Sequence, residues 1–301
     1  MSSYHYDIWS SPLYKLRNKR RLAALLCSDY KTIKELIKRP NYKTFTDYKG
    51  DKPRNIEEPK KILKTLQKRL KRLLSKLRPP QWLSSGVKDK SYVDNARIHK
   101  NHEYLIKCDI KSYYKSATRE FVFRFFRNIL FQEEDIAWLL TDLVTYNNYI
   151  PTGSPTSQLI AFWAYSPIFD QIQVLSLKEN ITMSLYVDDI TFSSNEPISQ
   201  EFIFNVNGIL KSVGLCLKRK KTRFYGRTQY KKVTGVIITP QNQLKVPNTL
   251  RKKIIMKLIQ IKKEKETCID NIESLIGLLL AARQIEPNFL ENTYRKYRKL
   301  N

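Results

Sequence analysis

The residues best suited to chemistry are three aspartates, one at position 109 and an adjacent pair at positions 188 and 189. The pair follows Tyr186-Val187 and is flanked by apolar segments typical of strands. A tight hairpin turn can lift both carboxylates to the same side, and Asp109 ends another apolar segment. Three such carboxylates could hold two divalent metal ions about 4 Å apart for phosphoryl transfer to a sugar hydroxyl. An isolated Asp-Asp pair can instead be a hydrogen-bonded turn, so the prediction depends on the combination.

The charge of the chain points to a polyanionic partner. Of 301 residues, 55 are Lys or Arg and 28 are Asp or Glu, which gives a formal net charge of +27. Each phosphate that a protein neutralises releases counterions, so this excess indicates strong, salt-dependent binding of nucleic acid. A basic protein that adheres to any polyanion is the alternative. With 42% hydrophobic residues a core can form, which argues against a disordered chain.

The cysteines and the apolar runs indicate the cellular setting. Four cysteines, at positions 27, 108, 216 and 268, form no C-x-x-C pair, so a zinc site or a disulfide framework is poorly supported. The N-terminus has no uninterrupted apolar stretch typical of a signal peptide, and no apolar run approaches membrane-spanning length. We therefore expect a cytoplasmic protein without a membrane partner.

Hydrophobic periodicity predicts the elements that must position the aspartates. Residues 104–110 are predicted to form a buried strand that ends at Asp109, and residues 181–193 a β-hairpin with its turn at Val187-Asp188. Other predicted elements are helices over 1–50, 60–78, about 117–145, 158–172 and from 248 onward, an extended basic segment at 52–59, a loop at 150–157, and short strands at 222–226 and 233–238. This order predicts an α+β fold with a small antiparallel sheet at its centre.

Several segments resemble motifs of reverse transcriptases. They are the Y-x-D-D box at 186–189, the strand that ends at Asp109, the loop I-P-T-G-S-P-T-S at 150–157 and the segment Lys220-Lys221-Thr222. Two more match signatures of bacterial retron reverse transcriptases, namely N-A-x-x-H at 95–99 and V-T-G at 233–235. The order and spacing of all six agree with that family over about residues 50–240.

The resemblance implies a right-hand polymerase fold with fingers, a palm built on a small antiparallel sheet flanked by helices, and a short helical thumb. The expected divisions are an N-terminal helical extension at 1–50, fingers at 51–103, a palm with inserted fingers helices at 104–240 and a helical thumb at 241–301. The resemblance also implies a site for two Mg²⁺ ions at Asp109, Ile110, Asp188 and Asp189, with the three aspartates as catalytic residues.

The same resemblance implies contacts to the incoming nucleotide. Tyr114 lies where the family carries the aromatic residue under the sugar, whose ring would collide with a 2′-hydroxyl; a tyrosine of the core is the alternative. Lys52 and Arg54 correspond to cations of the fingers that contact the triphosphate, unless they contact the RNA backbone. Lys221 would face the active site and assist the leaving pyrophosphate, although a surface role is equally compatible with the sequence.

The loop at 150–157 departs from the family in one position. Thr152 and Gly153 belong to the expected nucleotide pocket, but Thr152 stands where a Gln is common. The resemblance therefore does not extend to the usual contact of that Gln to the incoming nucleotide. Val187 replaces the more common Ala of the Y-x-D-D box, which is a small change in packing.

The residues assigned to RNA binding are Asn95, His99, Val233, Thr234, Gly235, Arg251 and Lys252. For Asn95 and His99, which share one face if the segment is helical, a satisfied local hydrogen-bond pair is the alternative. Gly235 permits a close approach of the backbone, either to RNA or to another strand. The C-terminal helix is expected to turn an apolar stripe inward and its cations outward, where they suit an RNA stem-loop; the stripe comprises Leu250, Ile254, Ile255, Leu258 and Ile259.

The function that the resemblance implies is that of a retron RNA-directed DNA polymerase. Such an enzyme copies part of its own noncoding RNA, the msr-msd transcript, into branched msDNA that starts from a guanosine 2′-hydroxyl. Besides this RNA and dNTPs, the expected partner is an effector protein of the same operon, within an antiphage defence system. The alternatives are another bacterial reverse transcriptase of the group II intron type and a non-catalytic RNA-binding scaffold.

Overall fold

The computed structural model describes residues 5–38, 41–48, 53–263 and 269–298. Lys52, one of the two cations expected to contact the triphosphate, lies outside the described residues. The elements that surround the aspartates come from widely separated segments of the chain.

The described residues among the first fifty are only partly helical, which corrects the sequence-based expectation. Two helices, α1 (Lys19–Leu25) and α2 (Tyr30–Lys38), are followed by strand β1 (Tyr42–Asp47), which pairs antiparallel with β2 (Arg54–Pro59). The sequence Y-K-T-F-T-D of β1 is rich in aromatic and β-branched residues, which favour a strand once a partner strand is available. We call β1 and β2 the ribbon.

Helix α3 (Lys61–Leu74) carries the predicted leucine stripe and buries it in the core. It ends earlier than residue 78, because the chain after it pairs with the N-terminal segment instead of continuing the helix. The amide of Tyr6 donates to the carbonyl of Lys76, and the amide of Arg78 donates to the carbonyl of Tyr6.

Helix α4 (Tyr92–Ile98) and strand β3 (Tyr104–Asp109) come next. Ser91 caps α4 with a capping box, in which its side chain accepts from the amide of Asp94 and the Asp94 carboxylate accepts from the amide of Ser91. Strand β3 ends at Asp109 as the sequence predicts.

The predicted helix over 117–145 is interrupted. After the short α5 (Tyr113–Ser116), the structure has α6 (Arg119–Arg124), a π-helical turn (Phe125–Ile129) and α7 (Glu134–Val144). Residues 131–133 leave the helical path because they bond to the N-terminal segment. The amide of Glu133 donates to the carbonyl of Leu16, and the side-chain amide of Gln132 donates to the carbonyl of Leu13.

A four-stranded antiparallel sheet, which we call the central sheet, is completed by segments after the long helix α8 (Ser157–Lys178). Strands β4 (Thr182–Tyr186) and β5 (Asp189–Ser194) form the predicted hairpin, here called the Asp-Asp hairpin, and α9 (Gln200–Lys211) leads to β6 (Arg223–Tyr225). The strand order is β4-β5-β3-β6, so β3 lies between β5 and β6. The predicted central antiparallel sheet is thus confirmed.

In the C-terminal part, the described residues form a small sheet and three helices. Its strands are β7 (Lys231–Val233), β8 (Val236–Ile238) and β9 (Leu244–Lys245), and its helices are α10 (Asn248–Lys263), α11 (Ile269–Ile285) and α12 (Glu291–Arg298). Instead of the single strand predicted over 233–238, the chain reverses at Thr234 and Gly235, which have φ values of 43° and 88°. Positive φ at two consecutive residues is the geometry of a tight hairpin turn.

Two hydrophobic cores lie on opposite faces of the central sheet, because successive side chains of a strand point to opposite sides. Ile106 and Cys108 of β3 belong to the larger core, which includes α8 and α9. Leu105, on the other face, belongs to a smaller core with α4, the C-terminal sheet and the C-terminal helices. In the part of the chain that the structure describes, every helix is too short or too polar to cross a membrane.

Candidate active site

The three aspartates meet at one end of the central sheet. Asp109, the last residue of β3, lies directly opposite Asp189, the first residue of β5. Directly opposed residues of an antiparallel pair project from the same face, so both carboxylates point to one side. Asp188 lies in the hairpin turn, and its carbonyl accepts a hydrogen bond of 2.8 Å from the amide of Ile110. The main chain of the buried Ile110 therefore ties β3 to the turn.

The hairpin turn has a strained backbone that a neighbouring segment holds in place. Val187 has a φ of 58°, which a β-branched residue rarely adopts and which costs about 1–3 kcal/mol. Its amide donates to the hydroxyl of Ser85 at 2.8 Å. Main-chain hydrogen bonds that Leu185 makes with Trp82 and Ser84 align residues 82–85 beside β4. No sequence motif pointed to Ser85.

Two lysines form ion pairs with the aspartates. Lys221 Nζ lies 2.5 Å from Asp109 Oδ2, which agrees with the expectation that Lys221 faces the site. Lys107 Nζ lies 2.9 Å from Asp189 Oδ2. Lys107 was missed in the sequence, although it precedes Asp109 by two positions on the same strand and must therefore share its face of the sheet.

The site concentrates negative charge in partly buried surroundings. Burial, followed by the charges of Asp189 and Asp109, raises the pKa of Asp188 above its ordinary value of 3.8. Among the described residues, no three His, Cys, Asp or Glu side chains are grouped tightly enough to hold one metal ion as they stand, and lysines occupy two of the carboxylates instead. A set of mutually repelling carboxylate oxygens fits a hard divalent cation such as Mg²⁺, which would relieve the repulsion.

Replacing Lys107 by Met should lower the Mg²⁺ concentration needed to half-saturate a metal site at the aspartates. The variant frees the Asp189 carboxylate from a cation that would compete with a metal ion. Because this ion pair is partly exposed, the expected decrease is about two- to fivefold. A Mg²⁺ titration of the purified protein by calorimetry measures it, with Lys111→Met as the control for loss of a nearby exposed charge. A higher Mg²⁺ requirement in Lys107→Met would contradict this account.

Tyr114 lies near Asp188, and its contact to the incoming sugar stays a prediction. Burial and the charge of Asp188 raise the pKa of the Tyr114 hydroxyl to about 12. Its ring stacks on that of Tyr113, with centroids 5.8 Å apart, and the buried Tyr113 hydroxyl donates to the carbonyl of Ala161 in α8. The Tyr114 carbonyl accepts from the amide of Ile150, at the start of the predicted nucleotide loop. The ring is therefore held by Tyr113, and the Tyr114 main chain is tied to that loop.

Thr152 and Gly153 contact the ribbon, through the buried Glu57 of β2. The Glu57 carboxylate accepts from the amide and hydroxyl of Thr152, at 3.0 and 2.7 Å, and from the hydroxyl of Tyr149 at 3.1 Å. A Cβ at Gly153 would lie 2.6 Å from the Glu57 carbonyl oxygen, so only glycine fits there. Thr152 thus joins the loop to the ribbon through its hydrogen bonds to Glu57. The sequence pattern did not point to Glu57.

Glu57→Gln should destabilise the protein most at neutral pH. Burial alone would raise the pKa of Glu57, but the hydrogen bonds from Thr152 and Tyr149 outweigh it and leave the pKa below 4.5. A group whose pKa is lowered by folding contributes stability above its unfolded pKa and loses it as the pH falls through the folded value. We expect a loss of about 1–2 kcal/mol at pH 7 that shrinks below about pH 4.5.

Urea denaturation of Glu57→Gln and the parent protein at both pH values measures this difference. Glu58→Gln is the matched control, because Glu58 is a neighbouring glutamate that pairs with Lys64 on the surface. The buried-carboxylate account is wrong if the two variants behave alike, or if the Glu57→Gln difference is the same at acidic and neutral pH.

Asn95 and His99 are fully buried, so their side chains cannot reach RNA in this conformation, which corrects that expectation. The two imidazole nitrogens of His99 lie 2.6 Å from the Ser193 hydroxyl and 2.7 Å from the Ser184 hydroxyl. The side-chain amide of Asn95 donates to Thr234 at 3.4 Å. Residue type alone could not show this, because polar side chains on a short helix are usually exposed.

The remaining residues expected to bind RNA differ in accessibility. Val233 is buried, whereas Gly235 is exposed. Arg251 is engaged within the C-terminal part, because its guanidinium pairs with Glu286 at 2.8 Å. Lys252 is exposed on α10.

A contact between Arg54 and the triphosphate of the incoming nucleotide remains a prediction. Arg54 is exposed at the first position of β2, opposite Asp47 of the ribbon. The described contacts do not place its side chain at the aspartates.

The right-hand polymerase class is defined by an antiparallel sheet with helices on both faces, in which one aspartate ends an inner strand. Two more aspartates lie at the adjacent hairpin, one in its turn and one at the start of the strand that follows. A family model described as reverse transcriptase (RNA-dependent DNA polymerase) matches residues 13–238. The chain belongs to the reverse transcriptase family.

The curated proteins that are similar in sequence to this chain include several retron reverse transcriptases. The retron Se72 reverse transcriptase of Salmonella heidelberg (strain 579083-10) is 30% identical over 214 residues, which cover 67% of this chain and 55% of that protein. The retron Ec86 and Ec83 reverse transcriptases of Escherichia coli are 27% and 26% identical, over 76% and 70% of this chain and 71% and 72% of theirs. The chain thus spans about half the length of the Se72 protein.

A solved structure supports the fold. Telomerase from Candida albicans, determined in complex with a fragment of telomeric RNA, superimposes with a TM-score of 0.51 at 13% identity. The match covers 88% of this chain and 58% of the telomerase chain. At this level of identity it confirms the predicted right-hand fold and nothing more.

Proposed function

We propose that this protein is the RNA-directed DNA polymerase of a retron. It copies part of its own noncoding RNA, the msr-msd transcript, into branched msDNA that starts from a guanosine 2′-hydroxyl. The observation that carries the proposal is the convergence of Asp109, Asp188 and Asp189 at one end of the central sheet. The similarity to retron Se72, Ec86 and Ec83 reverse transcriptases favours a retron over other bacterial reverse transcriptases.

The aspartates and the main chain of Ile110 would hold two Mg²⁺ ions, which when bound activate the primer hydroxyl and neutralise the triphosphate. Lys221, now paired with Asp109, supplies a cation for the departing pyrophosphate. The fixed ring of Tyr114 excludes a 2′-hydroxyl on the incoming sugar, so that deoxynucleotides are used. Thr152 and Glu57 hold the nucleotide loop against the ribbon.

The proposal includes the domain boundaries and partners expected from the resemblance. Residues 1–50 form the N-terminal extension, 51–103 the fingers, 104–240 the palm and 241–301 the thumb. The enzyme acts in the cytoplasm on its cognate RNA and dNTPs, with an effector protein of the same operon and a role in antiphage defence.

Expression in bacteria together with the neighbouring noncoding DNA tests the proposal. After RNase treatment of extracted nucleic acid, we expect a short, abundant single-stranded DNA that stays attached to an RNA stub until debranched. This DNA should be absent with the double variant Asp188→Asn/Asp189→Asn. Asp135→Asn, which removes a surface carboxylate paired with Lys19, should leave it unchanged.

Two outcomes would replace the proposal. If the purified protein extends an ordinary RNA-templated primer but no branched DNA forms in cells, it is a reverse transcriptase of another kind, such as a group II intron type. If neither assay yields DNA and the double variant binds RNA as the parent does, the protein is a non-catalytic RNA-binding scaffold.

A further inference from the structure

Helix α4 covers the face of the central sheet that bears the aspartates. In the strand register, Asp109 opposes Asp189, Leu105 opposes Ser193, and Ser184 opposes Thr191. Because side chains alternate between faces, the hydroxyls of Ser184 and Ser193 lie on the same face as the two carboxylates. They occupy its other end, where α4 packs against β4 and β8. One face thus carries the active site at one end and α4 at the other.

His99, at the C-terminus of α4, bridges the two strands of the Asp-Asp hairpin. Its Nε2 bonds to the hydroxyl of Ser184 in β4 at 2.7 Å, and its Nδ1 bonds to that of Ser193 in β5 at 2.6 Å. The ring is fully buried, and burial, followed by the nearby His102, lowers the pKa of His99 to about 3. A neutral ring has one donor and one acceptor nitrogen, so each hydroxyl receives a complementary partner.

The other end of α4 is bonded to the hairpin turn that carries the V-T-G motif. The Thr234 hydroxyl donates to the carbonyl of Tyr92 at 2.7 Å and accepts from the side-chain amide of Asn95 at 3.4 Å. The Tyr92 hydroxyl donates in turn to the carbonyl of Ala281 in α11 at 3.1 Å. A β-branched residue at a φ of 43° is strained and persists only where its surroundings hold it. The bonds to Tyr92 and Asn95 do so here.

We propose that α4 is a joint between the active site and the C-terminal helices, with His99 and Asn95 as its positioning residues. His99 fixes the strands that carry Asp188 and Asp189, while Asn95 and Tyr92 fix the base of the C-terminal part. Nucleic acid held by the C-terminal helices is thereby kept in a constant position relative to the carboxylates. The proposal rests on the assignment of these carboxylates as metal ligands in the proposed function.

The joint gives the two retron signatures a common physical role. N-A-x-x-H supplies the side chains of one helix that reach both partners, and V-T-G supplies the hydroxyl and the turn that the helix holds. The smaller core follows the same connection, because it contains Val93 and Ala96 of α4, Val233 and Val236 beside the turn, and residues of α11. Loss of the hydrogen bonds at one end of α4 should therefore change the geometry at its other end.

Two single variants and their combination test the joint. Ser184→Ala removes a hydroxyl bonded to His99, and Thr234→Val removes the hydroxyl bonded to Tyr92 while keeping the branched shape. Thr234→Ser keeps that hydroxyl and removes only the methyl group. Ser176→Ala is the control for loss of a buried serine hydroxyl, here one that donates to the carbonyl of Ile172 in its own helix. The readouts are the thermal midpoint, the dissociation constant of Mn²⁺ alone by electron paramagnetic resonance, and kcat and KM for dNTP.

We expect Ser184→Ala to lower kcat about tenfold and to weaken Mn²⁺ binding, with little change in the KM for dNTP. Thr234→Val should also lower kcat, whereas Thr234→Ser and Ser176→Ala should resemble the parent. The decisive result is the double variant. If α4 keeps its two ends in a fixed relative position, loss of the hydrogen bonds at one end already removes that effect. The combined loss of kcat in the double variant should then be smaller than the product of the two single losses.

The joint is refuted if the losses multiply, or if Ser184→Ala lowers only the thermal midpoint and leaves kcat and Mn²⁺ binding unchanged. Asp109→Asn, measured in the same Mn²⁺ titration, separates this failure from that of the proposed function. Unchanged Mn²⁺ affinity in Asp109→Asn would remove the metal-site assignment, whatever the serine and threonine variants show.

Discussion

Asp109→Asn should reduce DNA synthesis by the purified protein about a thousandfold. In the proposed function Asp109 binds the metal ions, and such a carboxylate contributes several kcal/mol to transition-state stabilisation, where about 1.4 kcal/mol corresponds to a tenfold change in rate. The change is isosteric, and the lysine it leaves without its partner is half-exposed, so the fold should survive. Primer extension on an RNA template under single-turnover conditions measures the loss.

Retained RNA affinity separates a catalytic effect from misfolding. Removing one negative charge from a chain of net charge +27 should leave the RNA dissociation constant unchanged or slightly lower. Asp135→Asn removes an exposed aspartate of α7 that pairs with Lys19, and this variant should synthesise DNA at the parent rate. Asp109 has no catalytic role if Asp109→Asn is as active as Asp135→Asn.

Tyr114→Val should relax the choice between deoxynucleotides and ribonucleotides by about a hundredfold. The ring of Tyr114 stacks on Tyr113, whose hydroxyl is anchored to α8, so it cannot easily move aside for a 2′-hydroxyl. Valine removes the obstacle while filling part of the volume. The measurement is the ratio of kcat/KM for dGTP and GTP in single-nucleotide additions opposite a template cytosine.

Tyr114→Phe is the matched control, because it keeps the ring and removes only the hydroxyl. It should discriminate against GTP as the parent does. If Tyr114→Phe loses selectivity as much as Tyr114→Val, hydrogen bonding by the hydroxyl, rather than collision with the ring, selects the sugar. If neither variant changes the ratio, Tyr114 belongs to the core, as the alternative interpretation of the sequence has it.

The central sheet and the Asp-Asp hairpin could be predicted because their signals are local. Apolar strands ending in aspartates identify themselves by pattern, and the turn between Tyr186 and Asp189 follows from the sequence of the box. The ribbon was only half predicted. Its strand β1 depends on pairing with β2 across residues 48–53, and such a partner is not visible in a short window of sequence.

Burial of polar groups was the main feature that local patterns could not supply. Nothing in the types of Asn95 and His99 distinguishes a buried hydrogen-bond network from an exposed contact to RNA, because the serines that complete the network lie some ninety residues away in the chain. The ion pair of Lys107 was accessible to reasoning, since a period of two places it beside Asp109.

The apolar stripe of α10 buries fewer side chains in the structure than the sequence predicts. Of its members, Ile254 is fully buried, but Ile255 and Ile259 are 53% and 45% exposed. Helix α10 packs mainly on α11, so only a narrow row of its side chains is covered. Periodicity indicates which residues could face a neighbour but not how many neighbours the helix has.

The placement of two cores on opposite faces of the central sheet has a consequence for cooperativity. Regions with their own core often open as separate units with different free energies. The smaller core, with α10, α11 and α12, should therefore open more readily than the larger core around α8, which amide hydrogen exchange would reveal as earlier labelling of the C-terminal helices; equal protection would contradict it. Opening of this kind would let a polymerase release a finished strand while the strands that carry its carboxylates stay folded.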